Sequence, residues 1–439
     1  MDQEKFGFVR KEILTQFIFF LGLFRSIMVF GIRGVICPSN WLTITGSCQW
    51  YNVAFELLLL AVAVLLLVLE LVWDRDWKRL MQACRANWLV LGFVGLAGLS
   101  LIWSIQFNIT LYKFTVLLGS SFMAIYIGHI FRLEKLIKNI TWFYFVICFF
   151  SLFFVFFLPD YGIMSNPFYK GAWNGIFWNR NYLGCFMALG IALFLVNLLS
   201  IKKPRRGFFY LNLGLLTVAS FLLVKSKSAT GIISALVLVA LVVVLYAWIK
   251  WGQKMKPAHY FGFLGVATIA FMIVMSNLNF FLGLLGRNSS LTGRVPVWEY
   301  LFQHVINQRP WLGYGYGAIW HLHGFGEELA QKFNWGFAVL IGDNGFIDIQ
   351  LHLGIVGLSI LLIMITLGFI RGIRYFLKER TMIDAFPILV LFFGVVANIS
   401  LSLILETETL VWIVALATLV SIENKSHVKS LTLTNEGQG

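Results

Sequence analysis

The sequence predicts an all-α polytopic integral membrane protein of about 12 transmembrane helices, with one large structured loop on the outer face. Composition, the spacing of apolar runs and the distribution of cations carry that prediction. Of the 439 residues 59% are hydrophobic and only 12% charged, and the mean hydropathy is +0.82. A soluble domain of this size needs about 25% charged residues to solvate its surface. Forty-three Phe and sixteen Trp exceed what one aqueous core can hold, but suit lipid-facing surfaces and interfacial belts. The formal charge of +14 raises nucleic acid as a partner. That would need the basic residues gathered on one water-facing surface, whereas here they sit in short segments between apolar runs, so membrane lipids are the expected surroundings.

A hydrocarbon core about 30 Å thick takes about 20 apolar helical residues to cross. On that ruler the spans fall near 13–32, 52–73, 88–104, 111–131, 140–158, 182–200, 208–224, 229–249, 259–282, 344–370, 383–402 and 407–422. The first span follows Lys5, Arg10 and Lys11 with no small-residue cleavage pattern, so it reads as a retained helix. Cations test the count, because a missed span would invert every later loop. Segments assigned to the inside hold 23 of the 34 Lys and Arg, among them Arg75, Lys78, Arg132, Lys202, Arg205, Lys250, Arg371 and Lys425. Outside segments hold nine: Arg33, Lys170, Arg180, Lys225, Lys227, Arg287, Arg294, Arg309 and Lys332. The alternation holds throughout and places both termini in the cytoplasm.

The chain therefore divides into membrane helices over 1–282, an extracytoplasmic loop over 283–343, further membrane helices over 344–424, and a short polar tail over 425–439. The long loop mixes Gly, Trp, Tyr and His with charged residues, unlike a disordered linker, and is expected to fold against the bundle. Cys37 and Cys48 share the first outside loop, where a disulfide between them and two separate thiols are both open readings.

Cations on the outer face run against the topological bias, and a shared anionic ligand would account for several of them together. Arg180 stands in Phe177-Trp178-Asn179-Arg180-Asn181, where a loop enters a span, and Lys225 and Lys227 stand in Lys225-Ser226-Lys227-Ser228 between two spans. Arg294 and Arg287 open the long loop, and Arg309 lies in its middle. Guanidinium groups and helix N-terminal amides both suit phosphate oxygens, so a diphosphate fits this set. Any one of them could instead be a cation reaching to lipid headgroups. In Arg309-Pro-Trp-Leu-Gly-Tyr-Gly-Tyr-Gly317, glycines interleave with Tyr314 and Tyr316, a pattern that presents rings for a sugar to stack on or makes an ordinary tight turn. His321 and His323 follow, as polar surface or a substrate contact; no carboxylate or cysteine pattern around them suggests a metal. Asp343 and Asn344 stand where the loop re-enters the membrane. Asp343 is expected near a helix N-cap, where it would satisfy free amides, or would act as a base on a sugar hydroxyl. Asp348, one turn on, would lie at the membrane edge, where an ionisable group is costly and often functional.

The segments Gly175–Gly184, Thr292–Trp298, Arg309–Gly317 and Asp343–Gly357, taken in order and on one face, resemble the O-antigen ligase and O-antigen polymerase (Wzy-type) superfamily. The resemblance implies a GT-C-like membrane glycosyltransferase of the bacterial cytoplasmic membrane, working without metal or cofactor. Such an enzyme moves a glycan from undecaprenyl diphosphate to a glycan or lipid acceptor on the outer face, with inversion. It assigns Asp343, Arg294 and Arg180 to the chemistry, and Lys227, Lys225, Arg309, Tyr314, Tyr316, His321, His323 and Asn344 to the diphosphate or glycan. Two departures stand out: Lys227 occupies a position where many members carry arginine, and Asp343 one where many carry histidine. A polytopic transporter of a lipid-linked or anionic substrate is the alternative, although carriers usually place their polar groups near the bilayer midplane.

Overall fold

The computed structural model describes residues 84–165, 169–200, 206–252, 294–334, 341–403 and 410–436, with Gln16, Phe20, Ala61, Leu65, Val68, Met81 and Val339 as single positions. The expected spans near 13–32, 52–73 and 259–282, and the Cys37 and Cys48 pair, lie largely or wholly outside the described residues. Eleven α-helices longer than one turn occur among the described residues, the first nine running up to the helix on which the long loop re-enters the bundle. These nine are α1 (Trp88–Leu99), α2 (Phe107–Ile130), α3 (Leu133–Phe157), α4 (Arg180–Ser200), α5 (Arg206–Ser226), α6 (Ala229–Trp251), and, beyond the undescribed stretch, α7 (Arg294–Tyr300), α8 (Phe325–Lys332) and α9 (Gly345–Glu379). The chain closes with α10 (Met382–Asn398) and α11 (Leu410–Glu436). Six of these are long and apolar enough to cross a membrane, and three shorter apolar helices, Trp88–Ile102, Met382–Asn398 and Leu410–Glu423, supplement them. No strand occurs among the described residues, only an isolated bridge between Ile163 and Trp173. Helices are what such sequences must form, since lipid offers no partner for an unpaired backbone group.

The most enclosed long helix is α4, 78% buried, with α5 and α6 packed along it and α10 and α3 around it. Without a hydrophobic drive between helices in lipid, close approach rests on small residues and interhelical hydrogen bonds. Gly184 of α4 abuts Gly231 of α6 backbone to backbone, and Gly128 of α2 abuts Ala417 of α11. Near the far end of α4 from Arg180, Asn197 donates to Thr141 Oγ1 of α3 and to Asn212 Oδ1 of α5, each at 2.8 Å. At the end assigned to the inside, Arg371 of α9 pairs with Glu423 of α11, and Asn87, just before α1, donates to the same carboxylate at 3.1 Å.

The expected span near 344–370 is one helix only in outline. Gly354 has φ +64° and ψ −163°, so α9 breaks there. The glycine-aromatic string fills the break. Tyr314 and Gly315 amides donate to the Leu351 and His352 carbonyls at 2.9 and 3.0 Å, and the Ile355 and Val356 amides donate to the Pro310 and Trp311 carbonyls at 2.8 and 3.3 Å. The groups that a helix break leaves without partners are thus paired by the loop, which is how irregular backbone is tolerated near membrane depth. Trp103 Nε1 donates to the Leu312 carbonyl at 3.0 Å, Ile105 N to the Tyr314 carbonyl at 3.1 Å, and Tyr316 N to Ser100 Oγ at 3.0 Å. The string is a strap between the α1–α2 corner and α9. Gly313 (φ +65°) and Gly354 are required because a Cβ on either would strike the other segment's backbone.

Candidate functional site

Four helix N-termini meet at the end of the bundle that the charge alternation assigns to the outside, and a chain of contacts links them. Arg180 opens α4 and donates through NH1 to the Lys227 carbonyl, while its guanidinium lies 4.2 Å from the ring centre of Tyr169. Lys227 has φ +50° and sits in the turn before α6 with its side chain exposed. Ser228 then caps α6, accepting from Gly231 N and donating to Asn181 Oδ1, both at 3.1 Å. One residue into α6, Thr230 Oγ1 meets Ser400 Oγ at 3.0 Å. The Ser400 carbonyl accepts from Arg294 NH1 at 2.9 Å, and Arg294 NH2 pairs with Asp343 Oδ2 at 2.8 Å. Arg294 opens α7 and Asp343 precedes α9 by two residues.

The helix cap expected of Asp343 is provided one residue later. Asn344 Oδ1 accepts from the Phe346 and Ile347 amides at 3.0 and 3.3 Å. Asp343, at φ +50°, is released from capping, and its Oδ1 makes no hydrogen bond among the described residues. Its side chain is 27% exposed against 13% for Arg294, so of the pair the carboxylate is the more open. Burial pushes the Asp343 carboxyl above the usual carboxylate range, and the Arg294 charge and hydrogen bond pull it back only in part. The result is a carboxylate more basic than a solvated one, held by a cation.

The remaining residues singled out from the sequence divide into two groups. Lys225 belongs to the cationic end, its ammonium 5.6 Å from the ring centres of both Trp173 and Phe221. Arg309, Tyr314 and Tyr316 belong to the strap. The Arg309 guanidinium lies 5.1 Å from the Tyr314 ring centre, the Tyr314 hydroxyl donates to the Val305 carbonyl at 2.8 Å, and both tyrosines are buried. Both rings are packed into the fold, on a backbone that closes the break in α9. His321 ends a short 3-10 turn, within electrostatic range of His352 on α9, and His323 is exposed. Neither is brought into contact with the Arg294–Asp343 pair by any hydrogen bond among those described. Conversely, Thr230, Ser400 and Ser402 are part of the network although nothing in the sequence marked them, since lone hydroxyl residues are common in membrane helices.

The described residues and this end together define a class: a helical membrane protein with cations and a carboxylate gathered among helix N-termini at one end. Residues 213–362, from within α5 to within α9, match a family described as O-antigen ligase. The exopolysaccharide production protein ExoQ of Rhizobium meliloti (strain 1021) is 28% identical over 249 residues, which is 54% of this chain and 54% of that protein. The match therefore spans about half the length of the relative. Both findings support the O-antigen ligase and polymerase family for this chain, in agreement with the resemblance carried by its four motifs.

Proposed function

We propose that this protein transfers a glycan from an undecaprenyl diphosphate carrier to an acceptor hydroxyl on the extracytoplasmic face of the bacterial cytoplasmic membrane. The observation that carries the reading is the Arg294–Asp343 pair at 2.8 Å, lying at the meeting of four helix N-termini. Asp343 is the base. The acceptor oxygen attacks the anomeric carbon, the bond from that carbon to the phosphate oxygen breaks, and the diphosphate leaves with the bonding electrons. The hydroxyl proton passes to Asp343. Approach opposite the leaving group inverts the anomeric centre. Lys227, Lys225 and Arg180, with the N-terminal dipoles of α4 and α6, meet the charge that grows on the leaving diphosphate, where preorganised cations help most. No step calls for a metal or a cofactor.

The name of the relative from Rhizobium meliloti, an exopolysaccharide production protein, favours a polymer of repeats as the product, hence a polymerase acting on two lipid-linked substrates. A ligase to a surface acceptor is the second reading, favoured by the family description. Deletion of the gene separates them: lipid-linked single repeats accumulate if it is a polymerase, and full-length chains stay on the carrier if it is a ligase. Purified protein supplied with lipid-linked glycan and acceptor should release undecaprenyl diphosphate. Translocation of the glycan without that release would overturn the enzymatic reading in favour of transport.

A further inference from the structure

Asp348 stands in the first turn of α9, 2% exposed. Its Oδ1 accepts from Trp320 Nε1 at 2.8 Å and from the Gly342 amide at 3.0 Å, and its Oδ2 accepts from Ser402 Oγ. Three donors converge on its two oxygens, and two of them, the indole and the backbone amide, can only donate. The three donors come from three places. Trp320 belongs to the long outside loop, Gly342 immediately precedes Asp343, and Ser402 lies two residues beyond Ser400, whose carbonyl holds Arg294.

We infer that Asp348 is a positioning residue of the site: one buried carboxylate that sets both members of the Arg294–Asp343 pair. It reaches Asp343 through the Gly342 amide and Arg294 through the Ser402–Ser400 segment, and it ties the outside loop to the same point through Trp320. The inference rests on the proposed reading of that pair. The φ of +50° at Asp343 makes the tether necessary, since a left-handed residue without a cap hydrogen bond of its own readily relaxes to another conformation. Trp298 Nε1 donates to the Gly342 carbonyl at 2.7 Å, so Gly342 is held at both its amide and its carbonyl.

The test compares Asp348→Ala with Asp348→Asn in the full chain purified in detergent. Lipid-linked glycan extracted from cells lacking the chain is the donor, and the envelope fraction of those cells supplies acceptor. Loss of the tether in the Ala variant should lower kcat by about 10- to 100-fold with KM for the lipid-linked glycan changed less than about threefold, the size expected when reacting groups are misplaced by about an ångström. The Asn variant keeps an oxygen for Trp320 and Gly342, and the Ser402 hydroxyl can turn to accept from the new amide. It should recover kcat to within about fivefold, with KM for the lipid-linked glycan unchanged. A residue that merely holds the fold would change the yield of folded protein and leave kcat per folded molecule in place. Wild-type kcat per folded molecule in Asp348→Ala, or a kcat in Asp348→Asn as low as that of Asp348→Ala, overturns the inference; if the Ala variant does not fold, Ser402→Ala, which removes one donor to Asp348 and leaves the Ser400 carbonyl in place, carries the same expectation and the same overturning result. Asp343→Asn runs alongside: if it stays active, the reading of Asp343 as base has failed, whereas an inactive Asp343→Asn beside an unimpaired Asp348→Ala removes only the positioning role.

Discussion

Asp343→Asn is the sharpest perturbation available. Asparagine has the same shape, tolerates φ +50° as readily as aspartate, and leaves Arg294 its bond to the Ser400 carbonyl, so the site should keep its geometry while losing its base. General bases contribute about 10²- to 10⁴-fold, and kcat for undecaprenyl diphosphate release should fall by that much. Stability should move the other way. Burial has lifted the folded-state pKa of Asp343 above its value in the unfolded chain. Its favourable contribution to stability is therefore complete below the unfolded pKa, and is lost as pH rises through the folded one. At pH 7 the ionised carboxylate opposes folding, and the neutral Asn variant should melt at or above the wild-type temperature. The activity of the wild type should run in the opposite sense, rising with pH through the same raised pKa as the base becomes available. Asp343→His, which installs the residue many members of the superfamily carry there, should recover part of the rate. Release rates of both variants in detergent, normalised to folded protein, decide the matter: activity within threefold of wild type in both would sink the assignment of the base.

Arg294→Ala removes the cation that pulls the Asp343 carboxyl down, so the acid limb of its pH–rate profile should shift to higher pH while kcat falls at least about tenfold; a limb that stays put argues against the pairing. Arg294→Lys keeps the charge but not the fork that spans Ser400 and Asp343, and should recover little of the rate. Gly354→Ala forces a side chain onto φ +64° and into the backbone of Trp311 and Leu312. It should cost about 2–4 kcal/mol or prevent accumulation of the folded protein, read by thermal unfolding in detergent. Asn197→Ala deletes two interhelical hydrogen bonds and should cost about 1–2 kcal/mol with kcat unchanged, because it lies far along α4 from Arg180.

Much of this protein could be read before any coordinates. Hydrophobic runs of membrane length determine helices because lipid leaves the backbone no other partner, and each described long helix falls on an expected span. The residues of the site were visible for a related reason: cations and carboxylates at the ends of apolar runs are few, so Arg180, Lys227, Arg294 and Asp343 stood out singly. What they do to one another was not visible. Helical spacing relates residues only within one run, and the contacts from Arg180 to the Lys227 turn, from Thr230 to Ser400, and from Arg294 to Asp343 all join segments far apart in the chain. The strap of residues 309–317 shows the same division. Its glycines announced a special backbone, but only tertiary structure shows that backbone closing a break in α9, with the tyrosine rings turned inward. Asp343 itself could be read as a helix cap or as a base on sequence alone, since both are a carboxylate near a helix start. The fold gives the cap to Asn344, and leaves Asp343 beside Arg294 with one oxygen to spare.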